Sequence, residues 1–144
     1  MKLSKIFSLL MLLVVISMQS NTVLAGTVVI VHPSNALANL SKSEIKNLFL
    51  VKRDNFSDGS KATPVDQPKN TDFRNAFYKH ITNKSESQMK SYWSKMIFSG
   101  KASPPEVLEN DAAVKAWIAS NPSGIGYIES SQVDETVKVV FTVP

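Results

Sequence analysis

The sequence contains no cysteine and two histidines, His32 and His80, in 144 residues. The first absence excludes a disulfide scaffold, thiolate metal sites and a cysteine nucleophile. The second leaves little for a histidine-rich metal centre. Also missing are the G-x-S-x-G, H-E-x-x-H and P-loop patterns that place a nucleophile, a zinc ion or a nucleoside phosphate. No segment is repeated or of low complexity. The longest apolar run, Ile6 to Met18, is about 13 residues, where a spanning helix needs roughly 20. An excess of one charge is lacking too. Lys2 and Lys5 belong to the first 25 residues, and beyond them 14 basic residues face 12 acidic ones, a net of +2. Those charges are dispersed, so there is no electrostatic footprint for nucleic acid.

What is present begins with a targeting pattern. A short basic start is followed by the apolar run, a polar Gln19-Ser20-Asn21-Thr22 stretch and Val23-Leu24-Ala25. This reads as a signal peptide, residues 1–25, cleaved after Ala25, with no cysteine for a lipid anchor. The expectation is a single periplasmic domain over 26–144, long enough for one ordinary core.

Hydrophobic periodicity divides that domain into elements. Thr27–Val31 is a continuous β-branched run, expected of a strand buried on both faces. Ser41 to Glu44 is a capping box opening a helix with Ile45, Leu48 and Phe49 on one face. Thr63–Asp66 is a short strand, with Pro64 suggesting its start or an edge. Thr71 opens a helix to about Ile81 with Phe73, Ala76, Phe77, His80 and Ile81 inward, which leaves Tyr78 off the buried stripe. A second capping box, Ser85 to Gln88, opens a helix expected to bury Met89, Trp93, Met96 and Ile97. Tyr92 falls outside that stripe. Glu106–Glu109 reads as a helical turn, and Asn110 or Asp111 caps a helix carrying Val114, Trp117 and Ile118. Ile125–Ile128 and Val137–Val143 read as strands. The order predicts an α/β fold with a small mixed or mostly parallel sheet flanked by helices.

Paired carboxylates and serines show no catalytic partnership, so the reading is not an enzyme and requires no cofactor. The informative stretch is Asp66 to Arg74, where a strand ends, a polar loop follows and a helix begins. First-turn N–H groups lack internal partners and carry the positive end of the helix dipole, which suits an oxyanion. Asn70 and Thr71 offer side-chain donors, and Lys69 and Arg74 offer full charges. The plainer alternative is that Asn70 or Thr71 only caps the helix and the two cations are solvated.

Three segments, VVIVHPSNALANLSKSEIKNLFL, PVDQPKNTDFRNAFY and SGIGYI, resemble in that order the phosphate-binding component of bacterial phosphate ABC importers. The resemblance implies one lobe of a type 2 periplasmic-binding fold, a hinge strand at each end, and phosphate or a similar oxyanion held without catalysis. It also implies a link to phosphate uptake or sensing. Thr71 matches the family's hydroxyl position. Asp66 or Gln67 stands where the family has an arginine, and the glycine of its Ser-Gly-Thr turn is absent. On this reading Lys69, Asn70, Thr71 and Arg74 hold the anion and Asp66 accepts a proton from it. Ser34 and Asn35 line the same crevice. The chain has less than half of the usual two-lobed length. The expected partners are therefore the oxyanion, a membrane transporter or sensor, or a second copy rebuilding a two-sided site. The alternative is a periplasmic interaction module that has lost ligand binding and docks on such a sensor, a transporter or itself.

Overall fold

A computed structural model describes residues 26–144. The signal-peptide reading falls on 1–25, outside the described residues. Five strands form one mixed sheet: β1 (Thr27–Val31), β2 (Thr63–Asp66), β3 (Glu106–Val107), β4 (Gly124–Glu129) and β5 (Lys138–Thr142), in the order β3-β2-β4-β1-β5. β2 runs parallel to both β3 and β4, while β1 is antiparallel to β4 and to β5. The mixed form of the expected sheet is the one adopted. The helices are α1 (Lys42–Phe49), α2 (Asp72–Thr82), α3 (Glu86–Phe98) and α4 (Asp111–Ser120).

β1 shows why its run is apolar throughout. Alternate side chains of a strand point to opposite faces. Val29 and Val31 join one cluster with Ile45, Leu48 and Phe49 of α1, Phe77, Tyr78 and Ile81 of α2, and Met89 and Trp93 of α3. Val28 and Ile30 join another with Val65, Ile128, and Val114 and Ile118 of α4. The sheet is thus sandwiched between α1–α3 and α4. The α4 side is held close by two glycines of β4. A Cβ on Gly126 would lie 2.8 Å from Val114 Cγ1 and 3.2 Å from Val65 Cγ2, and one on Gly124 would lie 2.7 Å from the Trp117 ring.

Both capping boxes form, with Ser41 paired to Glu44 and Ser85 paired to Gln88. Asn110, rather than Asp111, caps α4. Four expectations are corrected. Glu106 and Val107 form the edge strand β3 rather than a helical turn, because their backbone continues the parallel ladder from Val65 and Asp66. Tyr78 is buried, not off-stripe, since its hydroxyl has a buried acceptor. Ile97 is 56% exposed, because α3 ends beyond the edge of the core. Ala76 is exposed and His80 half-buried, so the inward face of α2 is carried by Arg74, Phe77, Tyr78 and Ile81. β3 covers only the last two residues of β2, so Pro64 lacks a partner on that side, which is the edge-like position a missing N–H requires.

Candidate anion-binding site

Asp66 ends β2 with its side chain on the α2 face, because Val65 before it points into the α4 cluster. Arg74 and Tyr78 are one turn apart on α2 and therefore meet the same spot. Tyr127 reaches it from β4. The Asp66 carboxylate accepts four hydrogen bonds. Gln67 N (2.8 Å) and Tyr127 Oη (2.6 Å) donate to Oδ1; Arg74 Nε (3.1 Å) and Tyr78 Oη (2.9 Å) donate to Oδ2. The side chains of Arg74 and Asp66 are 5% and 3% exposed. Phe77 stacks on Tyr127 with ring centroids 3.7 Å apart and planes 7° from parallel, while the Arg74 guanidinium lies 4.6 Å from the Tyr78 ring centre. Burial, the largest single influence, lowers the Arg74 pKa, but the Asp66 charge, its hydrogen bond and the two tyrosines together outweigh it and the net shift is upward. Burial first, and then the Asp66 charge, push both tyrosine hydroxyls well above their ordinary range. The group is a buried ion pair with two neutral phenols, its carboxylate hydrogen-bonded at both oxygens.

The loop from Gln67 to Thr71 is tied down at both ends. Gln67 Nε2 donates to Asp111 Oδ1 (2.6 Å) and to the Tyr127 carbonyl (3.1 Å), and the other Asp111 oxygen accepts from Glu129 N (3.0 Å). Asn70 adopts φ +62°, a left-handed conformation that asparagine tolerates better than most residues. Its N–H donates to Glu86 Oε1 (3.0 Å), and Asn75 Nδ2 donates to Glu86 Oε2 (2.9 Å). Thr71 caps α2, accepting from Arg74 N (3.3 Å) and donating to the Pro68 carbonyl (2.9 Å).

The loop separates two depressions. One, about 450 Å³, is lined by Gln67, Pro68, Thr71 and Phe73 together with Glu109, Asp111 and Glu129. Its charged walls are carboxylates and repel an anion. The other, about 600 Å³, has Lys69, Asn70 and Arg74 on one side and Glu86, Met89, Lys90, Trp93 and Ile97 of α3 on the other. Arg74 spends Nε on Asp66, and no other hydrogen bond of its guanidinium is found among the described residues. The guanidinium is therefore oriented from behind by a carboxylate while its outer nitrogens are left to the cavity. Lys69 and Lys90 add two charges there and Glu86 subtracts one.

The residues expected at the site thus divide. Lys69, Asn70 and Arg74 come together in the cationic cavity. Thr71 lines the acidic depression instead, with its hydroxyl engaged as the helix cap. The expectation that Asp66 accepts a proton from the anion is corrected, because both its oxygens are taken by internal donors and the residue is 2% exposed. Ser34 and Asn35 do not share the crevice. Val31 pairs with Ile125 at the start of β4, and Pro64 at the start of β2 pairs with the same residue, so the turn after β1 lies at the opposite end of the sheet from Asp66. There Ser34 bonds the His32 ring (2.7 Å) and Asn35 Oδ1 accepts from Leu37 N (2.9 Å). Sequence reasoning missed Glu86, Lys90 and Trp93, which lie on the next helix. Their spacing of four and three residues places them on one face. Nothing in the sequence says which loop that face meets.

No family model and no curated protein matches the chain. Solved structures do. A protein from Clostridium perfringens assigned as a phosphate ABC transporter substrate-binding protein, with bound phosphate, superposes with a TM-score of 0.65 at 22% identity, over 81% of this chain and 44% of that one. An ABC-type phosphate transport receptor from Vibrio cholerae gives 0.64 at 17% identity, covering 81% and 45%. PstS from Borrelia burgdorferi gives 0.61 at 12%, covering 81% and 46%. At these identities the likeness establishes the fold: the chain is built like a single lobe of a phosphate ABC transporter substrate-binding protein. It spans less than half the length of each of these structures.

Proposed function

We propose that the chain is a non-enzymatic, exported solute-binding-like protein that holds phosphate or a similar oxyanion in the cavity between the Lys69–Asn70 loop and α3, in a role linked to phosphate uptake or sensing. One observation carries the reading: a buried arginine, fixed through Nε by Asp66, leaves its Nη groups to a cavity that Lys69 and Lys90 also line. Charge-assisted hydrogen bonds from a pre-oriented guanidinium are the strong kind, and the Asp66 anchor lowers the cost of ordering it. Proteins of the same fold that bind phosphate add support, as does the basic–apolar–small pattern of residues 1–25 for export to the periplasm. A membrane transporter or sensor is the corresponding partner. A single lobe excludes little water, so modest affinity is expected.

The test is a thermal-shift titration with phosphate, with sulfate and chloride at matched ionic strength as controls. Ligand at 100 times its dissociation constant stabilises by about 2.7 kcal/mol, on the order of 10 °C for a domain of this size. The shift should be specific to phosphate, fall in Lys69→Gln/Lys90→Gln, and grow in Glu86→Gln, which removes a competing carboxylate. No specific shift at millimolar phosphate rejects the reading. A second reading, an interaction module, is favoured by one feature: at the end of α3 Ile97 is 56% and Phe98 96% exposed, an apolar step beside the cavity. If that step docks a second copy, sedimentation should show a dimer that Phe98→Ser dissociates.

A further inference from the structure

The cationic cavity is much larger than an inorganic oxyanion requires. About 600 Å³ lies within the range of roughly 300–1,000 Å³ that small organic ligands occupy, while phosphate is one atom surrounded by four oxygens. Part of the surplus has an apolar wall. Beside the polar residues Lys69, Asn70, Arg74, Glu86, Ser87, Lys90 and Ser94, the cavity is lined by Met89, Trp93, Ile97 and Pro104. Met89 and Trp93 belong to the core and are held in place by it, and Tyr92 packs edge-on against the indole at 4.9 Å. Trp93 is 6% exposed, yet its Nε1–H has no acceptor among the described residues. α3 thus carries the apolar Met89, Trp93 and Ile97 together with Glu86 and Lys90, while Lys69 and Asn70 come from the loop before α2.

Resting on the reading proposed above, we propose that the ligand is an organic phosphate monoester, its phosphoryl group between Arg74, Lys69 and Lys90 and its organic part against Trp93 and Ile97. A monoester keeps three terminal oxygens and up to two negative charges, enough to engage Arg74, Lys69 and Lys90 against the one opposing charge of Glu86. A carboxylate presents two oxygens and one charge and engages fewer of these donors.

Phenyl phosphate serves as the probe, titrated calorimetrically against inorganic phosphate, benzoate and phenol. The expected result is binding at least tenfold tighter for phenyl phosphate than for phosphate or benzoate, and none for phenol. The advantage over phosphate should shrink in Trp93→Leu and in the exposed variant Ile97→Ser, which does not threaten the core. Equal affinity for phosphate and phenyl phosphate overturns this inference and leaves the oxyanion reading standing. Benzoate matching phenyl phosphate also overturns it. Binding of phenol alone, or of no probe at all, overturns both.

Discussion

Replacing Asp66 by asparagine changes one oxygen to an NH₂ group and leaves the volume untouched, so its effect is electrostatic and hydrogen-bonding alone. The carboxylate accepts from two N–H donors, Gln67 N and Arg74 Nε, one on each oxygen, and from one tyrosine hydroxyl on each. A hydroxyl can turn and accept from the new NH₂, but an N–H cannot. Whichever way the amide turns, one buried N–H faces another and both are left unsatisfied. Arg74 also loses its countercharge at 5% side-chain exposure. Breaking a buried pair by removing one partner costs about 3–5 kcal/mol, a large part of the roughly 5–15 kcal/mol that stabilises a typical domain. At roughly 4 °C per kcal/mol for a domain of this size, the melting temperature should fall by about 12–20 °C. Arg74→Met removes the charge from the other side and leaves Asp66 with three neutral donors. The double variant Asp66→Asn/Arg74→Met no longer holds an unpaired ion. It should therefore cost less than the sum of the single changes by at least about 1 kcal/mol, a coupling typical of directly paired groups. Urea denaturation of the four proteins measures the cycle. A cost below about 1 kcal/mol for Asp66→Asn, or strict additivity, would refute the description of this ion pair as a fixed structural anchor.

Two further predictions concern the same core. The pKa values of Tyr78 and Tyr127 are raised in the folded state above the ordinary 10.0. The stability that their neutral forms confer is complete below about pH 10 and is lost as the pH rises above it, because the unfolded chain ionises first. In an alkaline titration followed at the phenolate absorbance band, these two phenols should stay silent at pH 10 and ionise only together with loss of circular dichroism; an independent, non-cooperative rise would contradict the burial. Gly126→Ala would place a methyl group 2.8 Å from Val114 Cγ1. Overpacking of this kind costs about 1–3 kcal/mol, measurable as a lower urea midpoint, and Val114→Ala in the same chain should restore part of it; an unchanged midpoint in Gly126→Ala would show that α4 does not press on β4.

Much of the architecture was legible because local signals and tertiary packing agree. The run Thr27–Val31 is apolar at every position, and the strand it forms is buried between two clusters. The two capping boxes lie where Ser41 and Ser85 announce them, since that pairing is settled within four residues. Where the reading failed, the deciding contact was distant in sequence. Tyr78 lies off the apolar stripe by periodicity, but a carboxylate twelve residues earlier accepts its hydroxyl, and so it is buried. Glu106–Val107 becomes a strand because it finds β2, forty residues away. Ser34 and Asn35 were expected in the crevice on the rule that ligands gather beyond the ends of parallel strands. β1 is antiparallel to β4, so its end faces the other way.

The site makes the same point about charge. Asp66 and Arg74, eight residues apart at a strand–loop–helix junction, read as an acid and a base that each face the ligand. In the folded protein they face each other, and the consequence is not simply the loss of a binding cation. An arginine has a single Nε and two outer nitrogens, and Asp66 takes only the first. Holding the guanidinium from behind fixes its plane while the two tyrosines hold the carboxylate, so ordering this arginine adds little to the cost of binding. The further charges must then come from Lys69, at the loop, and Lys90, on a helix that the sequence does not connect to it. Glu86 opposes them by occupying the Asn70 N–H, a donor that an incoming anion would otherwise use. Affinity in such a cavity depends on displacing or outweighing one resident carboxylate. For this reason the opposite responses of Glu86→Gln and of the two lysine substitutions together are a sharper test of the proposed site than any single loss of binding.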